Sequence, residues 1–406
     1  MKKTPKLRFK EFSGDWESKK LGEVGEFFKG STLSKSNLSE YGKPCILYGE
    51  LYTRYGEVIS KVISKTDLDD SKLVIGKKND VLIPSSGESA IDIATASCLQ
   101  QDNVLLGGDL NVFRSDELNG IFASYQLNNS KRYEIAKLAQ GASVVHVYNN
   151  QLSNLKLNIP SKEEQDKIAN FFSLIDNKIY LQSEKVEALK DYKKGLMQKI
   201  FSRELRFKDD EGRDYPEWEE KRLGDIGDFI SGTGFSEKYQ GYLDLPIKVF
   251  KVSDMNLLGN HKYMVNANNT VSYDILKEMK SKSINKPSII FAKVGAAIFL
   301  ERKRIVNTEF LIDNNMMAFI PDEKNDIEFI HSLMSNIHLS RYAQVGALPS
   351  YNASDISSIK VNIPLLNEQI KISKILCSLD NKIQKEQEKL DSLNEYKKGL
   401  LQQMFV

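Results

Sequence analysis

The sequence predicts an α+β protein that carries one plan twice. Two α/β globular domains are joined by two long helices packed as an antiparallel coiled coil, and a pseudo-twofold axis relates the halves. Three observations predict this. Residues 154–201 align with residues 358–405 without a gap at an offset of 204, with 22 identities in 48 positions. Self-similarity at half the chain length indicates a duplication, whereas solenoids repeat at far shorter periods. The openings also repeat: LRFKEF, Asp15-Trp16-Glu17 and KKLGEVGEFFKG return as LRFKDD, Glu217-Trp218-Glu219 and KRLGDIGDFISG. Their offset is 198 before the tryptophans and 202 from them on, so the second copy carries a four-residue insertion there. Between these shared ends, helical periodicity gives way to short apolar runs broken by glycine, proline and asparagine, the pattern of strands.

These boundaries divide the chain into globular domains at residues 1–155 and 205–358, and helical regions at residues 156–204 and 359–406. In the globular parts, VLIP (81–84), VLL (104–106), IKVFKV (247–252), IIF (289–291) and MAFIP (317–321) read as strands. The strand-then-glycine run VLIPSSG resembles SIIFAKVG, and Asp109-Leu110-Asn111 stands 204 residues before Asp313-Asn314-Asn315. The two middles therefore read as one fold with two divergent surfaces.

In the first helical region, Pro160 permits a helix to start near Ser161, with Glu163 and Glu164 favoured in its first turn. Alternating steps of four and three give Ile168, Phe172, Ile175, Ile179, Gln182, Val186, Leu189, Lys193, Leu196 and Ile200. The copy gives Ile372, Leu376, Leu379, Ile383, Glu386, Leu390, Leu393, Lys397, Leu400 and Met404. The polar breaks fall at the same two places. This is a coiled-coil period. A helix of about 40 residues is roughly 60 Å long, and only another helix of like length can cover its stripe. Heptads alone signify packing. Duplication with antiparallel pairing adds an expectation: a globular head at each end of a rod, with the two chain termini together.

At 406 residues the chain can hold two or three domains. The net charge of +2, with 28% charged and 41% hydrophobic residues, confines any basic surface to a local patch. Cys45, Cys98 and Cys377 form no CxxC pair and suit free thiols in a reducing compartment. His146, His261, His331 and His338 stand at no metal-ligand spacing. Residues 1–10 are basic but lead into no apolar stretch, so no signal peptide is expected, and no run reaches the roughly 18 apolar residues of a membrane helix. A cytoplasmic location without membrane contact is the expectation.

No enzyme is visible. The sequence lacks a GxxxxGK[ST] loop, HExxH, GxSxG and the Asn/Asp-Pro-Pro-Tyr/Phe motif of amino-methyltransferases, and its Gly232-Thr233-Gly234 is an isolated GxG. No catalytic residue or metal ligand is assigned. Candidates for nucleic-acid contact come from the globular domains. Tyr48, Tyr52, Arg54 and Tyr55 interleave aromatics with a cation, and ordinary packing is the alternative. Residues 277–304 carry eight lysines or arginines against Glu278 and Glu301, a candidate phosphate-contacting face or else a solvated lysine-rich surface. Lys293, Arg302, Lys303 and Arg304 come from that segment. The polar turns add Ser85, Ser86, Lys251, Ser253 and Asn256.

These motifs together resemble the specificity subunit of type I restriction-modification systems, over the whole chain. The family's helical regions begin with Ile-Pro, continue through Glu-Gln and Ile, and carry Asp-x-x-Ile before a Lys-Lys-Gly-Leu-like end. Here these are Ile159-Pro160, Glu164-Gln165, Ile168, Asp176…Ile179 and Lys193 to Leu196. The copies are Ile363-Pro364, Glu368-Gln369, Ile372, Asp380…Ile383 and Lys397 to Leu400. Each motif is weak alone; the pair at a fixed offset is specific. The run GALPSYNASDI looks like the family's lead into the second helix, whereas GASVVHVYNNQL is looser. The resemblance implies that each globular domain is a target-recognition domain reading one half of a bipartite double-stranded DNA site. The coiled coil would set the spacer and dock two methyltransferase subunits. Those subunits would use S-adenosylmethionine. Two restriction/translocase subunits, using ATP and Mg2+, would join through the methyltransferase core, and this chain would hold no cofactor. The rival from the residues alone is a non-catalytic coiled-coil scaffold with two protein-binding heads. A self-contained methyltransferase lacks its motif.

Overall fold

A computed structural model describes residues 4–406 apart from Asp70, Ala142, Val345 and Ala347. The chain divides into two compact units, residues 1–184 with 387–406, and residues 185–386. Each unit thus holds one globular head, the opening of the long helix that follows it and the close of the other long helix.

In the first unit a five-stranded sheet runs in the order Glu26–Lys29, Leu110–Arg114, Val81–Pro84, Ser97–Leu99, Val58–Ile59. A four-stranded sheet has Lys43–Ile46 parallel to Val104–Leu106 at its centre. The second unit repeats the scheme. Gly227–Ser231, Met316–Pro321, Ser288–Ala292 and Lys303–Val306 form one sheet, and Ile247–Phe250 runs parallel to Phe310–Ile312 in another. All five runs expected to be strands lie in these sheets. The run 247–252 ends its strand at Phe250, because residues 252–256 turn into a short 3-10 helix.

The repeated glycines are explained by close approach. A Cβ on Gly30 would stand 1.9 Å from the carbonyl oxygen of Gly107, and one on Gly232 1.9 Å from that of Asp313. Only glycine lets the opening strand lie that near the neighbouring turn. Lys156–Ile159 and Lys360–Ile363, at the heads of the helical regions, pair antiparallel with Glu17–Lys20 and Glu219–Arg222. Four residues at the start of each predicted helical region, Lys156–Ile159 and Lys360–Ile363, are therefore strand, clamped to the opening of their own head.

The long helices span Lys162–Phe201 and Leu366–Met404. Ser161 caps the first, its Oγ accepting from the Glu164 N–H at 3.4 Å. Within the first unit, Ile168, Phe172 and Ile175 share a core with Leu400, Leu401, Met404 and Phe405. Within the second, Ile200 shares a core with Ile372 and Leu376. The start of one helix meets the end of the other in both units, so the pairing is antiparallel. All ten seam positions of each helix are buried or half-buried, including Ile179, Val186, Leu189, Leu196, Leu379, Ile383, Leu390 and Leu393. Full burial of an apolar seam side chain such as Phe172 or Leu376 contributes about 1.5–3 kcal/mol.

The lysine breaks in the seam are ion-paired. In the first unit Lys397 Nζ lies 2.8 Å from Asp176 and 3.0 Å from Glu57. In the second, Lys193 meets Asp380, which Lys262 also reaches at 3.0 Å. The lysine of each Lys-Lys-Gly-Leu run thus answers the aspartate of the other copy's Asp-x-x-Ile run. Burial works to lower the Lys397 ammonium, but Glu57 and Asp176 outweigh it and raise the group above its ordinary range.

Glu-Gln fixes the other end of each motif. Arg8 donates from Nε and Nη2 to Glu164 at 2.7 Å each, and Arg206 does the same to Glu368 at 3.0 and 3.1 Å. Gln165 joins the Pro160 carbonyl to the Asn119 N–H, and Gln369 joins the Pro364 carbonyl to the Asp326 N–H. Trp16 and Trp218 lie in the two cores; Trp16 packs edge-on against Phe122, and Trp218 against Phe329. Leu7 donates its N–H to the Gln403 carbonyl at 3.0 Å, as Leu205 does to Lys199 at 3.0 Å. The beginning of the chain therefore caps the second helix in the way that the linker caps the first.

Candidate nucleic-acid interface

Each head carries three matching loops, the first two at strand ends and the third after a helical turn. The first follows the inner parallel strand. In the first head Leu47 opens the helix Tyr48–Thr53, and its N–H donates to Glu50 Oε2 at 2.9 Å. In the second, Lys251 opens the turn Val252–Asn256, and its N–H donates to Asp254 Oδ2 at 2.8 Å. The same buried acid, four residues after the strand, pins both turns. The aromatic cluster and the polar turn, read separately from the sequence, are one structural position.

The second loop follows the central strand. After Val81–Pro84 the chain pairs Ser86–Gly87 with Val145–His146 and enters the short helix Ala90–Ile93. After Ser288–Ala292, Val294 bridges to Ser350 and the turn Ala296–Leu300 follows. The third loop is a hairpin closed by Gln140 with His146, and by Gln344 with Ser350. The looser run GASVVHVYNNQL thus takes part in the same closing bridge as its counterpart; Ala142 in the first hairpin, and Val345 and Ala347 in the second, lie outside the described residues. In the first head the helix Tyr48–Thr53 packs on the central strand. In the second, the Asn256 side chain accepts a hydrogen bond from the Arg302 guanidinium, so the first and second loops touch.

The predicted contact residues divide. Tyr48 and Tyr52 are half-buried on the loop surface, and Arg54 is exposed beside Glu50 at 3.5 Å. Burial, then the charges of Tyr48, Glu88 and Asp92, hold the Tyr52 hydroxyl above its ordinary range. Tyr55 packs on the core beneath, and its hydroxyl accepts from the Ile63 N–H at 3.0 Å. Ser85 and Ser86 are buried, with Ser86 Oγ 3.0 Å from His146 Nδ1. Their side chains lie beneath the loop surface because the second and third loops pair across them.

In the second head Ser253 and Asn256 are exposed. Lys251 Nζ bonds Gln240 at 2.7 Å and lies over the Phe235 ring. Lys303 is the clearest correction. It is buried, its ammonium held by Glu301 at 2.7 Å and the Ile337 carbonyl at 3.0 Å, and burial lowers its pKa. Arg304 spends its guanidinium on the carbonyls of Asn260 and Lys303, both at 3.0 Å. Lys293 and Arg302 remain half-exposed on the loops. The basic segment is therefore not one face. Lys277, Lys280, Lys282 and Lys286 precede the strand Ser288–Ala292 while Lys293 follows it, and five extended residues separate the two groups by roughly 16 Å.

Sequence reasoning missed the apolar residues of these loops, Phe299, Leu300 and Leu348, which are exposed. It also missed Glu88 and Asp92. The signal lay in unlike loops at like positions: acids beside tyrosines in one head, cations beside large apolar groups in the other. Aspartate and glutamate accept from the cytosine amino group, and arginine and lysine donate to guanine, so such loops can distinguish base edges in the major groove.

The sequence profile described as the type I restriction modification DNA specificity domain matches residues 13–191 and again 215–395. The chain belongs to that family. Two similar proteins from Methanocaldococcus jannaschii are named type I restriction enzyme MjaVIII and MjaIX specificity subunits. The first is 24% identical, covering 97% of this chain and 94% of the relative. The second is 24% identical, covering 95% and 92%. Among solved structures, the type I restriction-modification S subunit from M. genitalium superposes with a TM-score of 0.64 at 19% identity, over 99% of both chains. A chain from a structure addressing complex assembly and conformational transition of the type I R-M system gives 0.55 at 14% identity, over 95% and 96%. These likenesses cover both heads and both long helices, so this is a specificity subunit with two target-recognition domains. Among the described residues, no group of acidic, histidine or cysteine side chains could hold a metal ion, and no helix is long and apolar enough to cross a membrane.

Proposed function

We propose that this chain, without chemistry of its own, directs a type I restriction-modification complex to a bipartite DNA site, each head reading one half. The observation that carries this is the contrast within the duplication. The two heads share strands, turns and closing hairpins, yet the side chains on their matching loops differ in charge and kind. A shared frame with unlike loops is what two different half-sites require.

The long helices then set the distance between the halves. Half-sites one helical turn apart lie about 34–36 Å centre to centre, within the reach of helices of about 60 Å at about 1.5 Å per residue. The outer faces of the helices dock two methyltransferase subunits: Tyr192 and Tyr396, equivalent residues outside the seam, are both exposed. Two like surfaces suit two copies of one partner. Those partners supply S-adenosylmethionine-dependent adenine methylation, and restriction/translocase subunits using ATP and Mg2+ join through them.

The test is the methylome of a host carrying this chain with its methyltransferase. Replacing residues 1–155 with another family member's first domain is expected to change one half of the methylated motif and leave the other half and the spacer intact. An unchanged motif would sink the proposal.

A further inference from the structure

The turn Ala296–Leu300 exposes two large apolar side chains in succession, Phe299 at 61% and Leu300 at 57%. Leu348, 63% exposed, lies beside Gly295 at the foot of the same turn. Resting on the reading that the heads bind DNA, we propose that Phe299 and Leu300 form an apolar wedge. The second head inserts this wedge at a base step of its half-site.

The turn is built to hold those side chains outward. Gly295 at φ +81° and Glu301 at φ +50° bracket it in left-handed backbone. Ile298 anchors it in the core beneath, and the Gly295 N–H donates to the Pro349 carbonyl at 2.8 Å. With Ile298 filling the inward position, Phe299 and Leu300 project from an anchored turn.

The charges around the tip favour DNA as the occupant. Glu301, the acid of this segment, faces away from the tip: its carboxylate takes Lys303 at 2.7 Å and the N–H groups of Leu339 and Ser340 at 3.1 and 2.8 Å. Lys293 and Arg302 flank the turn in the chain and are half-exposed, and Arg302 bonds Asn256. An apolar tip flanked in the chain by two cations suits stacked bases between phosphates. Apolar side chains inserted between base pairs unstack the step and kink the duplex, at a few kcal/mol per step, offset by the added contact. The equivalent turn of the first head has Ile91 at its surface, flanked in the chain by the acids Glu88 and Asp92. The wedge therefore belongs to the second half-site alone.

The experiment uses the complex assembled with its methyltransferase and duplexes carrying 2-aminopurine at successive positions of both half-motifs, located beforehand by methylome sequencing, leaving out the methylated adenines and their neighbours, which the methyltransferase itself unstacks. The wild type should raise the fluorescence at one step of the second half-site and at none of the first. The variant F299A/L300A should abolish that rise and weaken binding on the order of tenfold, with F299W retaining both. Both side chains are more than half exposed, so the variant should keep the wild-type melting temperature and its methyltransferase. Unchanged binding and fluorescence in F299A/L300A overturns the wedge, as does loss of the methyltransferase, which would make the turn a protein-docking surface. If the variant unfolds, absence of any fluorescence rise in the wild type overturns the wedge by itself. Failure of the domain exchange described above would instead remove the reading beneath it.

Discussion

Glu164 sits almost wholly buried at the start of the first long helix, 1% exposed, and its charge is tolerated because Arg8 reaches it with two hydrogen bonds from the other end of the head. A buried carboxylate with a bidentate guanidinium is tightly constrained, and removing one partner leaves the other desolvated and unanswered. Glu164→Gln is therefore expected to lower the stability of the first unit by about 2–3 kcal/mol in a denaturant melt. Lys185→Ala, which removes an exposed pair with Glu386, should change it by less than about 1 kcal/mol. His331 supplies a pH dependence. Burial, opposed by the Lys303 carbonyl that its Nε2 meets at 3.1 Å and reinforced by Lys262, pushes its pKa from 6.5 down to about 4. The unfolded chain then binds the extra proton first, so stability is full above about pH 6.5 and falls as the pH drops toward 4. The residue keeps some solvent-facing surface, which reduces the expected loss to on the order of 2 kcal/mol. His331→Gln should flatten that slope, and thermal melts between pH 7 and 4 measure it.

At the scale of elements, the two long helices are equal in register down to their polar breaks, and the lysine break of each is ion-paired with the other copy. Lys193 with Asp380 and Lys397 with Asp176 fix the helices lengthwise as well as face to face. A four-residue insertion is close to one helical turn and adds about 6 Å while nearly preserving the seam's face. Placed in the middle of the first helix, it is expected to widen the spacer of the methylated motif by about one or two base pairs. A spacer of unchanged length would show that the helices set no distance. The loops follow a different logic. Each is pinned by a shared device, a buried acid or a paired hairpin, so that only the outward side chains vary. Tyr55, Ser85, Ser86 and Lys303 belong to the pinning, while Tyr52, Asn256, Lys293 and Arg302 are left on the surface.

For the whole molecule the consequence is that each head is completed by the other copy's helix. Leu400, Leu401, Met404 and Phe405 fill the core under the first head, where Phe405 stacks 5.8 Å from Phe172. Ending the chain after Gly399 should therefore unfold the first unit and spare the second. Limited proteolysis is expected to degrade residues 1–184 while a fragment spanning about 185–386 persists. Survival of both units would mean that the first head closes its own core.

The sequence alone determined the duplication, the two helices, their seam and the strand runs, since periodicity and self-similarity are properties of the chain itself. Repeated letters also located the constrained contacts, although what each letter touches was invisible: nothing in LRF says that Arg8 reaches Glu164, 156 residues away. Only the tertiary structure decided which cations face solvent. Arg302 and Lys303 are neighbours of the same charge, yet the strand that begins between them sends one outward and the other to Glu301. Only the tertiary structure, too, joined the tyrosine cluster of one head to the polar turn of the other as a single position. Alternation along a strand and the meeting of distant loops depend on register and pairing, and a linear count of charge carries neither.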